Sequence, residues 1–164
     1  MADLVLVRPS SRFVLVRPAK RSDAEAIAEV HVATWRAAYR GQVPDAVLDT
    51  LDISARSTFW REALSGFHRI FVAESDSVVV GFCSLIPSRD AESDSSAVAE
   101  IAALYVLPEH WRCGAGRALC STVFSAAVTA GFSSIILWVL TTNSLAIRFY
   151  EAQAFQRDGA TKSE

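Results

Sequence analysis

Lysine is nearly absent from this 164-residue chain: Lys20 and Lys162 are the only two, and arginine supplies the rest of the 16 basic side chains. Against 18 acidic residues this gives a net charge of -2 with no dense basic run, which argues against a surface that tracks a nucleic-acid backbone. Any anion site is therefore expected to use guanidinium and backbone N–H groups rather than ammonium. Cysteine is scarce as well. Cys83, Cys113 and Cys120 are odd in number and form no CxxC pair, so neither a disulfide framework nor a metal site is expected. Their thiols read as reduced, in a cytoplasmic protein. Long apolar runs are missing too: Leu4 to Val7 is cut short by Arg8, and nothing reaches the length of a signal-peptide core or a membrane span. No membrane partner is expected.

What is present has the balance of one domain around one core, with 51% hydrophobic and 21% charged residues. The segment Leu4-Val5-Leu6-Val7-Arg8-Pro9 is echoed by Phe13-Val14-Leu15-Val16-Arg17-Pro18. Each copy reads as a short strand stopped by proline. Residues 1–12 are thus expected to be an N-terminal extension with a possible extra strand, and residues 13–164 the domain proper.

Ser22 with Glu25 reads as a capping box opening a helix that ends near Tyr39 to Gly41. Pro44 and Asp45 open a second helical stretch, broken near Asp52 to Ser54 and ending about Leu64. Ile70 to Ala73 and Val78 to Phe82, joined by the turn Glu74 to Ser77, read as an antiparallel hairpin. Ser88 to Ser96 is a polar, acidic connector, and Ala97 to Leu107 an apolar strand carrying one charge, Glu100.

Gly114 to Ala130 reads as a helix with Gly131 as its stop. Ile135 to Leu140 is continuously apolar, as in a strand buried on both faces. Asn143 or Ser144 caps a last helix to about Ala152, and a final short strand is expected from Phe155. The order implies a mixed α/β sheet, antiparallel in its first half and with a parallel crossover later.

The strongest chemical signal is the strand followed by Pro108-Glu109-His110-Trp111-Arg112-Cys113-Gly114-Ala115-Gly116-Arg117 and then a helix. Glycines let the backbone approach a bulky anion, and the N–H groups at a helix start favour phosphate oxygens. A tight turn that needs glycine only for geometry is the plainer alternative. A Walker A loop would need Gly-Lys-Ser/Thr where Gly116-Arg117-Ala118 stands. A dinucleotide fingerprint would need a third glycine at Leu119. Both are excluded.

Joined to Glu100-Ile101-Ala102-Ala103-Leu104-Tyr105-Val106-Leu107-Pro108, this loop resembles the acetyl-CoA-binding core of the GNAT N-acetyltransferases. Their Gln/Arg-x-x-Gly-x-Gly/Ala pattern falls on Trp111-x-x-Gly114-x-Gly116, with Trp111 departing from the usual first residue. A second stretch, Leu137-Trp138-Val139 through Asn143 and Ala146 to Phe149-Tyr150-Glu151-Ala152-Gln153-Ala154-Phe155, is similar to the family's segment ending Phe-Tyr-Glu-x-x-Gly-Phe. Ala154 replaces the glycine.

The resemblance implies a single-domain GNAT-like fold and direct transfer of an acetyl group from acetyl-CoA to an amine of a small molecule or peptide. It implies cofactor contacts from Leu104, Tyr105 and Val106, from the loop Trp111, Arg112, Cys113, Gly114, Ala115, Gly116 and Arg117, and from Asn143 and Ala146. Tyr150 would be the general acid for the departing thiolate. Glu100, if its apolar setting raises its pKa, would be the general base, acting through water; a solvated or salt-bridged strand-end residue is the other reading.

Trp35 and Tyr39, with His31, form an aromatic stripe at i+4 spacing that could line the acceptor pocket, beside the polar connector; core packing is the other reading. A non-catalytic acyl-CoA sensor module is the alternative to an enzyme. Relatives in the family continue past Asp158 to Thr161 into a last strand. Either the Leu4 to Val7 strand or a second subunit, as a homodimer, is expected to take its place.

Overall fold

A computed structural model describes residues 13–163, so the expected strand at Leu4 to Val7 lies outside the described residues. The order is β1 (Val14–Pro18), α1 (Ala24–Ala38), α2 (Asp45–Asp49), α3 (Ile53–Ala63), β2 (Arg69–Ser75), β3 (Val78–Pro87), β4 (Val98–Val106), α4 (Ala115–Thr129), β5 (Ser134–Ile136) and α5 (Ser144–Ala152). The five strands form one sheet in sequence order. β1 to β4 pair antiparallel and β5 pairs parallel to β4, which is the expected mixed architecture.

The sheet carries a core on each face. Leu119, Val123 and Ala127 of α4 meet Val80, Cys83, Leu85, Ala99 and Ile101 on one side. Ile27, Ala28 and Val30 of α1 and Trp60 of α3 meet Ile70, Val72, Phe82 and Ala103 on the other. Helices on both faces explain why β3 is nearly all apolar and buried. No described helix is long and apolar enough to cross a membrane.

Several local expectations are corrected. The start of α1 is held by Asp23 rather than by a Ser22–Glu25 box: its carboxylate accepts from Lys20 N at 2.6 Å and from the Arg17 guanidinium at 2.8 and 3.0 Å. Arg17 also reaches Glu74 at 2.6 Å, tying β1 to β2 and to the helix start. The Arg17 hydrogen bonds, outweighing the cost of burial, hold the Asp23 carboxyl below the usual range. The hairpin turn is two residues, Asp76 and Ser77, both at positive φ, which fits the twist of the flanking strands.

β5 pairs with β4 over Ser134 to Ile136 only, and its residues are at best half-buried. The expected strand to Leu140, buried on both faces, is therefore cut short. The apolar residues 137–139 serve another purpose, described below. No strand follows α5 among the described residues: the chain from Phe155 runs irregularly, with Phe155 packed against Tyr150 and Phe124.

Candidate functional site

β4 and β5 run together from Val98/Ser134 to Glu100/Ile136 and then part. The fork between them opens a cleft of about 900 Å³, lined on one side by Ile101 to Val106 and on the other by Leu137, Trp138 and Val139. The antiparallel ladder decides which backbone groups face it. Leu107 N donates to Val80 O, so by alternation Tyr105 and Ala103 spend their polar groups on β3, while Leu104 and Val106 turn theirs toward the cleft. Between Ala103 and Ile101 the register skips one residue of β4, Ala102, a bulge that re-aims the strand at the fork.

The outward carbonyl of Val106 is already taken. It accepts from Trp111 Nε1 at 2.6 Å and from the buried Thr34 hydroxyl at 3.2 Å. Trp111, which stands where the motif has Gln or Arg, therefore ties the loop to the end of β4. Of the three residues expected to offer backbone to a ligand, Leu104 keeps both groups, Val106 keeps its N–H, and Tyr105 is committed to the ladder.

The loop ends at the start of α4. Gly114, the N-cap, has φ of 89° with open space where a Cβ would stand, so its requirement is conformational. The first α4 amide with an intrahelical partner is Ala118, which bonds Gly114 O at 3.0 Å. The N–H groups of Ala115, Gly116 and Arg117 precede it with no side-chain cap, and they gather at the positive end of the helix dipole.

Gly116 answers a different need. A Cβ there would lie 3.0 and 3.1 Å from the Phe149 ring, so glycine admits α5 against α4. Gly116 lines the cleft as well, so its backbone faces the ligand side while its missing side chain makes room for Phe149.

α5 supplies the cleft's remaining wall. Asn143 caps the helix by accepting from Ala146 N at 3.1 Å, and Ala146, Phe149, Tyr150 and Gln153 line the cleft. Tyr150 is wedged edge-on against Phe149 and Phe155. Burial raises its pKa well above the ordinary value, with Cys83, Cys120, Tyr105 and Tyr39 adding to the effect. It stays a protonated O–H donor through neutral pH.

Of the residues read from sequence, Leu104, Tyr105, Val106, Trp111, Arg112, Gly114, Gly116, Arg117, Asn143, Ala146, Tyr150 and Tyr39 all line this one cleft. Ala115 and Cys113 do not: Ala115, at the start of α4, is buried in the core against the sheet and Cys113 is exposed. Trp35 does not line it either. It meets Tyr39 edge-on and His31 at a tilt within the α1 cluster, where Trp60 Nε1 donates to His31 Nδ1 at 3.1 Å, so Trp35 and His31 pack while Tyr39 alone of the stripe reaches the cleft.

Glu100 is brought to the base of the fork but not into its lining. It is 2% exposed and held by Arg89, through Nη2 at 2.5 Å, Nε at 3.3 Å and backbone N at 3.0 Å. Desolvation pulls its pKa up, but the Arg89 hydrogen bonds outweigh this and the net direction is down. The expectation of a raised pKa is therefore overturned. Its partner lies in the connector Ser88 to Ala97, which joins the sheet at the start of β4, through Ser88 N to Val98 O, and contributes no residue to the cleft lining.

Sequence reasoning missed Thr34, Gln42, His110, Trp138, Thr142 and Arg148 in the lining. Gln42 and Thr142 come from segments far apart in the chain and meet at 2.8 Å. No local pattern could have signalled that pair.

The cleft fits CoA by its own chemistry: uncapped helix N–H groups and Arg112, Arg117 and Arg148 for phosphates, and an open strand edge for an amide-bearing arm. Comparison with known proteins agrees. Residues 25–155 match the model of the acetyltransferase (GNAT) family. The chain is 36% identical to the uncharacterized N-acetyltransferase YuaI of Bacillus subtilis, over 88% of this chain and 81% of that one. It is 28% identical to the probable N-acetyltransferase Rv2775 of Mycobacterium tuberculosis, over 94% and 86%.

Among solved structures, the PaiA N-acetyltransferase of Thermoplasma acidophilum in complex with coenzyme A superposes with a TM-score of 0.75 at 21% identity, covering 91% of this chain and 93% of that one. The aminoglycoside N-acetyltransferase AAC(6')-Iy with CoA gives 0.75 at 17% identity, over 96% and 97%. At these identities the likeness establishes the fold.

Proposed function

Because the chain belongs to the GNAT acetyltransferase family, we propose that it transfers an acetyl group from acetyl-CoA directly to the amine of a small molecule or peptide, in the cleft between β4 and β5. Acetyl-CoA supplies the activated acyl group as a thioester. The observation that carries the reading is the joint lining of one fork by an uncapped helix start, an open strand edge and a half-buried, protonated tyrosine.

In this reading the amides of Gly116 and Arg117 hold phosphate with the guanidinium groups of Arg112 and Arg117. The outward groups of Leu104 and the N–H of Val106 align the arm as an added strand, and an N–H at the fork polarises the thioester oxygen. The Tyr150 hydroxyl donates its proton to the departing sulfur. The Arg89-held Glu100 fixes the base of the fork, and the amine proton leaves through water in the open cleft instead of to this carboxylate.

Cys83 and Cys120 take no part as acyl carriers. Burial raises both thiols, Cys120 to about 11, which keeps them from the thiolate form at neutral pH. Free thiols at all three cysteines suit the reducing conditions of a cytoplasm. The outer edge of the short strand β5 is the place at which a second copy would pair to form a homodimer.

The test measures acetyl-CoA binding by calorimetry and CoA release across an amine panel. Micromolar binding with amine-dependent release supports transfer. Binding with no release for any amine would favour the acyl-CoA sensor instead.

A further inference from the structure

The two ends of the cleft differ in charge, and the difference bears on which amine is accepted. At the loop end the ionisable side chains that line it are His110, Arg112, Arg117 and Arg148, all basic. At the other end, toward α1, the wall is Thr34, Tyr39, Gln42, Tyr105, Trp138 and Thr142: aromatic rings and uncharged hydrogen-bonding groups. Lys162 Nζ, 4.3 Å from the centre of the Trp138 ring and within electrostatic reach of the buried Glu100, adds a positive charge on this side. Acidic groups are held elsewhere. Glu100 is paired with Arg89 below the fork, and the acidic connector that precedes β4 adds nothing to the lining.

Resting on the transferase reading above, we propose that the acceptor is a monoamine with an apolar or aromatic body, and that polycationic amines are disfavoured. The phosphates of CoA match the arginines at the loop end, so the acceptor end presents no anionic partner from the described residues to a second ammonium. A polyamine or aminoglycoside would have to desolvate its extra charges without pairing them, and would meet Lys162 as a like charge. An arylalkylamine instead buries its ring against Tyr39, Tyr105 and Trp138 and brings only the nitrogen that loses its charge in the reaction. Specificity of this kind comes from an unpaired charge placed against the wrong substrate.

The experiment compares kcat/KM for 2-phenylethylamine, spermidine and kanamycin at one pH and ionic strength, with CoA release as readout. At least tenfold preference for 2-phenylethylamine is expected. Gln42→Glu, which keeps an acceptor for the Thr142 hydroxyl, and Ala37→Glu, on an exposed position of the wall, are each expected to narrow that preference at least threefold.

Equal or better turnover of spermidine or kanamycin by the wild type overturns the proposal while leaving the transferase intact. If no amine releases CoA, the transferase reading fails, and thermal shifts of the CoA complex with the same three amines still decide this one. A shift with 2-phenylethylamine alone sustains it, and an equal or larger shift with spermidine overturns it.

Discussion

Replacing Gly116 by alanine tests whether that glycine serves the ligand or the seating of α5. The added methyl would stand 3.0 and 3.1 Å from two atoms of the Phe149 ring, well inside ordinary contact, so the ring must give by a few tenths of an ångström. Overpacking of this kind costs about 1–3 kcal/mol. For a chain of this size the melting temperature is expected to fall by about 2–4 °C per kcal/mol.

Phe149 neighbours Tyr150 on α5, so the displacement is passed to the proposed acid. Misplacement of a reacting group on the order of 1 Å can cost about 10²-fold in rate. A shift of a few tenths should cost kcat about tenfold while leaving the acetyl-CoA dissociation constant within about threefold, because the amides of the α4 start remain. Gly114→Ala should show the reverse balance. It meets no clash but forces a side chain to φ of 89°, costing about 1–2 kcal/mol and disturbing the amides themselves. Calorimetric binding and steady-state kinetics on both variants give the comparison. A Gly116→Ala variant that loses binding and keeps kcat would refute the assignment of that glycine to α5.

Tyr150→Phe should lower kcat by about 10²- to 10⁴-fold with binding retained, measured by CoA release; a loss within a few-fold would remove the acid role. Trp111→Phe keeps the ring and loses the 2.6 Å bond to Val106 O, so acetyl-CoA affinity should weaken by about 1 kcal/mol, read by calorimetry; unchanged affinity would show that the tie is idle. Ala154, at φ of 68° just past α5, should gain about 1 kcal/mol on replacement by glycine, and a lower melting temperature would contradict the strain argument.

Burial lowers the His31 pKa to about 4, with Arg56 adding to it, so the folded state binds its proton less readily than the unfolded chain. Its share of stability is therefore full above about pH 6.5 and is lost as pH falls toward 4, about 3 kcal/mol in all. The His68 pKa is lowered in the same direction, by burial and by Arg89. Melting of wild type and His31→Gln from pH 7 to 4.5 should show a smaller pH dependence in the variant; parallel curves would exclude His31.

The parts of this site that are legible in sequence are those set by local backbone chemistry. Gly114 announces a left-handed N-cap, Asn143 announces a helix start three residues before Ala146, and Gly131 announces a helix stop. The order of strands and helices follows from the same signals. Contacts between distant segments leave no such mark. Nothing near Glu100 in the chain names Arg89 as its partner, because the meeting is made by the turn-back of the connector between β3 and β4. The run Ile135 to Leu140 reads the same whether it is buried in a sheet or lines a cleft, so the point where β5 leaves β4 was hidden. Gly116 is ambiguous for a related reason: a glycine that admits a phenyl ring and one that admits a phosphate look alike until Phe149 is seen against it.

The most direct test of the central claim follows CoA release and acetylated product together, with acetyl-CoA, 2-phenylethylamine and either wild type or Tyr150→Phe. The account predicts release that requires the amine, matches the acetylated product one for one, and collapses in the variant while acetyl-CoA still binds. Release without amine, or tight binding with no product from any amine, would contradict it.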